Sequence, residues 1–163
     1  MRDEAGFRAF VQANDASLLH AARLLTGDYH RGEDLVQNTL TKLYLKWGRI
    51  DAPLAYARKA LVTGHIDAMR RRSSTERVSD TIPERPDRPD GPGASDDRDE
   101  LRRLLAELSP RERGVIVLRY YCDQSEQETA ATLGVPVGTV KSTCSRALAR
   151  LRVEVAAAGG TPR

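Results

Sequence analysis

Residues 125–152 read SEQETAATLGVPVGTVKSTCSRALARLR, a short helix-forming run joined to a longer basic one through a tight turn. Ser125 followed three residues later by Glu128 is a capping box, in which each side chain satisfies a backbone N–H of the first turn, so a helix starts near Glu126. Ala130 and Leu133 give that helix an apolar side, and Gly134 supplies the permissive backbone needed for a helix C-terminus and a turn over 134–136. From Val137 the helical period resumes with Val140, Cys144, Ala147, Leu148 and Leu151 facing inward. Lys141, Ser142, Thr143, Ser145, Arg146 and Arg150 fall on the other faces. Between Val137 and Arg152 there are four cations, Lys141, Arg146, Arg150 and Arg152, and no Asp or Glu, an imbalance suited to phosphate. The pattern is that of a DNA-reading helix-turn-helix. Its second helix lies in the major groove with the N-terminal residues at base edges, here Thr139, Lys141, Ser142 and Thr143.

Outside this motif, the arrangement of charge says more than its total. The 163-residue chain has a formal net charge of +3, from 26 Lys and Arg against 23 Asp and Glu, with basic residues gathered at 70–72 and in the last helix. Cys122 and Cys144 have neither CxxC spacing nor a His cluster beside them, so the expectation is two small core thiols, with no zinc site, no disulfide framework and no cofactor. No apolar run reaches the roughly 18 residues of a membrane span, and the charged start MRDEAGFR is unlike a signal peptide. These features point to a soluble cytoplasmic protein that does not insert in membranes. A nucleic-acid enzyme would need converging carboxylates for a metal or a positioned nucleophile, and no such set converges, so no catalytic residue is assigned.

The rest of the chain reads as all-α, two small helical domains joined by a flexible acidic linker. Residues 73–97, SSTERVSDTIPERPDRPDGPGASDD, have proline at every third position from Pro83 to Pro92 and almost nothing apolar. Seven carboxylates against three arginines leave a net charge of −4, the composition of an extended linker that cannot build a core. Before it, within a domain over 1–72, Phe7, Phe10 and Val11 suggest a first helix, and Leu18, Ala22 and Leu25 a second that stops near Gly27. A third runs from about Tyr29 to Trp47, with Val36, Leu40, Leu43 and Trp47 at helical spacing and Asp34, Gln37, Asn38 and Thr41 more exposed; Gly48 ends it. A fourth opens with Pro53 and runs through Ala57, Leu61, Ile66 and Met69 to Arg70, Arg71 and Arg72. After the linker, over 98–155, come a stripe of Leu101, Leu104, Leu105 and Leu108, a second capping box at Ser109 and Glu112 with Pro110 at the first helical position, and the helix-turn-helix pair.

Taken together, GEDLVQNTLTKLYLKW, the stretch 55–72, and LSPRERGVIVLRYYCDQSEQETAATLGVPVGTVKSTCSRALARLR resemble, in order, regions 2 and 4 of bacterial RNA polymerase sigma factors of the small extracytoplasmic-function type in the sigma-70 family. The resemblance implies a promoter-specificity subunit with no catalytic chemistry of its own. Its implied partners are core RNA polymerase, through the β′ and β subunits, promoter DNA, and possible anti-sigma factors. It aligns Asp34, Leu35, Gln37, Asn38 and Thr41 with the helix that docks on the β′ coiled coil. Residues 48–53, with Arg49 and Asp51, align with the loop that captures a base flipped from the minus-ten element, and flipping costs a few kcal/mol that such a pocket must repay. Arg58, Lys59, His65, Arg70, Arg71 and Arg72 lie on or beside the melting helix that follows and would hold promoter phosphates, Thr63 is a further minus-ten position on that helix, and Trp47 either stacks on a base or packs in the core. Thr139, Lys141, Ser142, Thr143 and Arg146 would meet the minus-thirty-five element.

Three positions depart from the family pattern. Thr63 stands where many relatives have asparagine, Thr143 where many have arginine, and Pro136 where many have a serine or threonine cap, which leaves the recognition helix more weakly capped. The linker is either a passive tether or, as the resemblance implies, a segment threading toward the RNA exit path. The competing reading is a free-standing helix-turn-helix regulator, and it uses only the C-terminal half of the chain.

Overall fold

The computed structural model describes residues 3–76 and 96–157, and these divide into an N-terminal and a C-terminal unit. Every regular element among them is helical. Residues 77–95, and with them most of the expected linker, lie outside the described residues.

The N-terminal unit is three helices, α1 (Glu4–Thr26), α2 (Tyr29–Leu45) and α3 (Pro53–Glu76). The two helices expected before Gly27 are one. Residues 12–17, QANDAS, have no large apolar side chain but hold no Gly or Pro, and the Asn14 amide donates to the Phe10 carbonyl at 2.9 Å, so the side chain joins the helix instead of breaking it. Asp3 caps α1 by accepting from Gly6 N, and Gly27, at φ 70°, ends it. Asp28 then caps α2 by accepting from Arg31 N at 2.9 Å. Leu18, Ala22, Leu25, Val36, Leu43, Ala57, Leu61 and Val62 are buried at the centre. Hydrophobic burial at about 25 cal/mol per Å2 is what holds so small a bundle together. Helix α3 continues past Arg72 through Ser73–Glu76, four residues into the expected linker, with Thr75 Oγ1 bonded back to the Arg71 carbonyl.

The C-terminal unit is α4 (Asp96–Ala106), α5 (Pro110–Ile116) extended by a wider π turn over Val117–Tyr121, α6 (Glu126–Leu133) and α7 (Val137–Ala157). In that turn Cys122 N donates to the Val117 carbonyl at 2.9 Å, and the chain leaves through Asp123 at φ 58°. Leu105, Leu108, Val115, Val117, Leu118, Ala130, Val140 and Ala147 form the core. Arg113, buried, donates Nη2 to the Ala106 and Leu108 carbonyls at 3.3 Å each and so closes the end of α4; burial draws its pKa below the ordinary arginine value. The capping box expected at Ser109 is half made. Ser109 Oγ accepts from Glu112 N at 3.2 Å, but the Glu112 carboxylate turns inward, where Oε1 accepts from Arg150 Nη1 of α7 at 3.3 Å.

Candidate nucleic-acid interface

The helix-turn-helix is built by local chemistry. Ser125 Oγ accepts from Glu128 N at 3.0 Å and Glu128 Oε2 accepts from Ser125 N at 2.9 Å, the reciprocal pair that starts α6. At its other end Gly134 stands at φ 66° and Val135 N reaches the Ala130 carbonyl at 3.1 Å, a closure that a side chain at 134 would strain. Pro136 has no side-chain acceptor, and it starts α7 with its carbonyl alone, which takes Thr139 N at 3.0 Å and Val140 N at 3.3 Å. Val140, Val115 and Ala130 then lock α7 against α5 and α6.

That packing fixes which face of α7 meets solvent. Lys141, Ser142 and Arg146 are exposed, and Thr139 is half-buried. Thr143 is only 2 % exposed, so it is not a base contact. Its spacing from Val140 and Ala147 puts it on the buried stripe, where its hydroxyl accepts from Arg146 Nη2 at 3.4 Å. Ser145, which belongs beside Lys141, Ser142 and Arg146 on the exposed face, was missing from the residues assigned to bases, although its step of four from Lys141 was visible in the sequence.

In the N-terminal unit, Asp34, Gln37, Asn38 and Thr41 are all exposed along α2. Leu35 is not part of that surface. It is 9 % exposed, and α3 comes so near that a Cβ at Gly64 would stand 3.3 Å from Leu35 Cδ1. Asp34, Asn38 and Thr41 border a groove of about 780 Å3 between α2 and α3 whose far side includes Arg71 and Arg72. His65 lines the same groove but is 3 % exposed, held inward one turn after Leu61 and Val62, and it is therefore not a surface phosphate ligand.

Between α2 and α3 the chain turns at Gly48, whose φ of 89° sets the loop direction, and it leaves Arg49 and Asp51 exposed. Trp47 stands behind the loop, half-buried, with its ring centroid 5.3 Å from Phe7 and 5.6 Å from Phe10. Of the two alternatives open from sequence, that is the packing role. Lys59, Arg70 and Arg71 are exposed on α3, Arg58 and Arg72 are half-buried, and the Thr63 hydroxyl donates to the Lys59 carbonyl at 2.7 Å. Among the described residues no group of His, Cys, Asp and Glu could hold a metal ion, and no helix is long and apolar enough to cross a membrane. Cys122 and Cys144 form no disulfide, and both are half-buried.

Residues 98–151 match the family model for sigma-70, region 4. Over 155 residues the chain is 38% identical to the RNA polymerase sigma-E factor of Streptomyces coelicolor, covering 93% of this chain and 86% of that protein. It is 34% identical over 169 residues to the ECF RNA polymerase sigma factor SigL of Mycobacterium tuberculosis, with coverage of 98% and 94%. Among solved structures, the sigma factor RpoE from Bartonella quintana, crystallised with the anti-sigma factor NepR, superposes with a TM-score of 0.75 at 29% identity, covering 90% of this chain and 94% of that one. These likenesses run through both helical units, and with them the chain belongs to the sigma-70 family of RNA polymerase sigma factors, in its extracytoplasmic-function group.

Proposed function

We propose that the chain is a cytoplasmic, non-catalytic promoter-specificity subunit whose two units divide the work. In this reading the α2 face of Asp34, Gln37, Asn38 and Thr41 docks on the core polymerase. The loop with Arg49 and Asp51 takes an unpaired base of the minus-ten element, and Arg58, Lys59, Arg70, Arg71 and Arg72 follow the opened strand by its phosphates. On α7, Ser142 and Ser145 face the minus-thirty-five bases, with Lys141 near bases or adjacent phosphates, Arg146 on the backbone and Thr139 at the groove edge. An anti-sigma protein, of the kind bound to the Bartonella relative, is a third partner that would compete with the polymerase.

The observation that carries the reading is the segregation on α7: Val140, Thr143 and Ala147 are buried on one side, while Lys141, Ser142, Ser145 and Arg146 are exposed on the other with no acidic residue among them. A free-standing regulator would share that helix, but its reading leaves the exposed polar row on α2 and the basic end of α3 without a use. The experiment is transcription in vitro with purified core polymerase on a pool of genomic promoters. Selective initiation is expected, and Asp34→Lys should weaken core binding while leaving the helical content intact. For DNA, alanine at both Lys141 and Arg146 should flatten the slope of log affinity against log salt by about two units. Failure of the folded chain to bind core polymerase, with operator-like DNA still bound, would favour the regulator.

A further inference from the structure

We propose that Phe7 and Phe10 of α1 are positioning residues for the 48–52 loop, acting through Trp47; this rests on the reading that the loop receives an unpaired promoter base. Helices α1 and α2 meet head to tail, and the only tryptophan of the chain sits at that meeting point, immediately before the left-handed Gly48 that aims the loop. The Phe7 ring stands edge-on to both Tyr44, at 5.0 Å, and Trp47, at 5.3 Å and 82°, while Phe10 lies tilted against Trp47 at 5.6 Å. Tyr44 further reaches α1 through its hydroxyl, 3.4 Å from Glu4 Oε1.

The segment between Leu45 and Pro53 is otherwise fixed by half-buried Ile50 and by its own backbone, the Ala52 carbonyl taking Tyr56 N at 3.0 Å. Its backbone bonds are short-range, Trp47 N to the Tyr44 carbonyl at 3.1 Å and Arg49 N to the Lys46 carbonyl at 3.0 Å, and Arg49, Asp51 and Ala52 are exposed. On the far side, the Lys46 ammonium lies 5.5 Å from the Tyr56 ring centroid. The loop is thus anchored near its root, where α1 supplies an aromatic cluster around Trp47. A flipped base needs its acceptor in place before it leaves the stack, since ordering the pocket at that moment would add to the cost of unstacking. Phe7 and Phe10 touch no nucleotide in this proposal. They keep Trp47, and with it Arg49 and Asp51, in one position.

The test uses the full chain assembled with core polymerase, on a promoter selected from the genomic pool and supplied either as duplex or already mismatched at the start site. Phe7→Ala and Phe10→Ala should each lower transcription from duplex by about tenfold, the loss expected when one aromatic contact no longer orders the site. The mismatched template should recover most of it, and Phe7→Tyr, which keeps the ring, should behave as the parent. Trp47 emission should change in the alanine variants with unchanged far-ultraviolet circular dichroism and unchanged core binding. Leu19→Ala, a half-buried site further along α1, controls for general weakening of the bundle. If Arg49→Ala with Asp51→Ala is defective but Phe7→Ala transcribes as the parent does, or loses no more than Leu19→Ala, the positioning role is overturned and the loop reading stands. If the loop double variant is indistinguishable from parent on every promoter, the loop reading itself falls and the proposal with it.

Discussion

Removing Arg150 should cost the C-terminal unit more than its place on an exposed helix suggests. Arg150 Nη1 lies 3.3 Å from Glu112 Oε1 and 3.4 Å from the Glu107 carbonyl, so one guanidinium ties α7 to both α5 and the end of α4. Its own side chain is 51 % exposed, and the ionic attraction alone, screened by water, amounts to about 0.5 kcal/mol. Glu112 is the side that matters. Its side chain is 12 % exposed and Oε2 is buried with no hydrogen-bond partner, so Oε1 and Arg150 carry much of what compensates the carboxylate for lost water. Arg150→Met, which keeps the apolar stem, leaves that buried acceptor unmatched at about 1–3 kcal/mol. Glu112→Gln leaves a neutral amide that is cheaper to bury, about 1 kcal/mol, and the double variant should cost less than the sum of the two.

The assay exploits the single tryptophan. In a urea titration of the full chain, Trp47 emission follows the N-terminal unit, whereas far-ultraviolet circular dichroism follows both. With a slope of about 1 kcal/mol per M for a unit of this size, Arg150→Met should move the dichroism transition of the C-terminal unit down by about 1–3 M and leave the tryptophan transition where it was. Equal losses for Glu112→Gln and Arg150→Met, adding fully in the double variant, would refute the argument, because they would show that the two side chains stabilise the unit independently.

Three further outcomes follow from local geometry. Ser125→Ala breaks the capping box and should lower the same dichroism transition by about 1 kcal/mol, with Trp47 emission unaffected. Thr143→Val should keep DNA affinity and its salt slope unchanged, whereas Ser145→Glu, placing a carboxylate on the exposed basic face, should weaken binding to every sequence; the reverse ranking in a binding titration would put the recognition face elsewhere. Tyr120 has its pKa raised above the usual value near 10, chiefly by its hydrogen bond with Cys144, the Oη and Sγ atoms being 3.8 Å apart. A raised folded-state value means that the contact stabilises the fold below the unfolded pKa and that this contribution is lost as pH rises through the folded one. Cys144→Ala should therefore move one tyrosine of the five to lower pH in an absorbance titration at 295 nm, and an unchanged curve would dismiss the contact.

What could be read from the sequence was whatever is encoded within a few residues. The Ser125 and Glu128 box, Gly134 as the left-handed closure of α6 and Pro53 at the start of α3 are local devices, and each was legible from residue type and spacing. Polarity was the poorer guide. Thr143 and His65 look like surface residues by type, yet each lies on the helical stripe of its apolar neighbours, and Leu35 sat in a run of docking residues although α3 covers it at Gly64. The stretch 12–17 looked like a boundary because amphipathicity lapses there, but a helix already started needs only the absence of breakers to continue. Glu112 found a tertiary partner 38 residues away in preference to its local one, and the pairing of Phe7 with Trp47 spans most of the N-terminal unit. Neither contact leaves a mark at helical spacing.

The two candidate DNA-contacting sites accordingly differ in how far specificity can change without loss of the fold. On α7 the residues that hold the helix, Val140, Thr143 and Ala147, are distinct from those that face outward, and exposed substitutions of that kind usually shift stability by no more than about 0.5 kcal/mol. Lys141, Ser142 and Ser145, the residues proposed to face or lie near bases, should on this reading be exchangeable to change the bases preferred while the helix stays in place. At the loop of the N-terminal unit the separation fails. The chain enters the turn through Trp47, whose ring is shared with α1, so a change at the root that improves packing also redirects Arg49 and Asp51. Specificity for the upstream element should on this account vary by substitution on an open face, and specificity for the downstream element by exchange of the whole 48–52 loop between unchanged aromatic anchors.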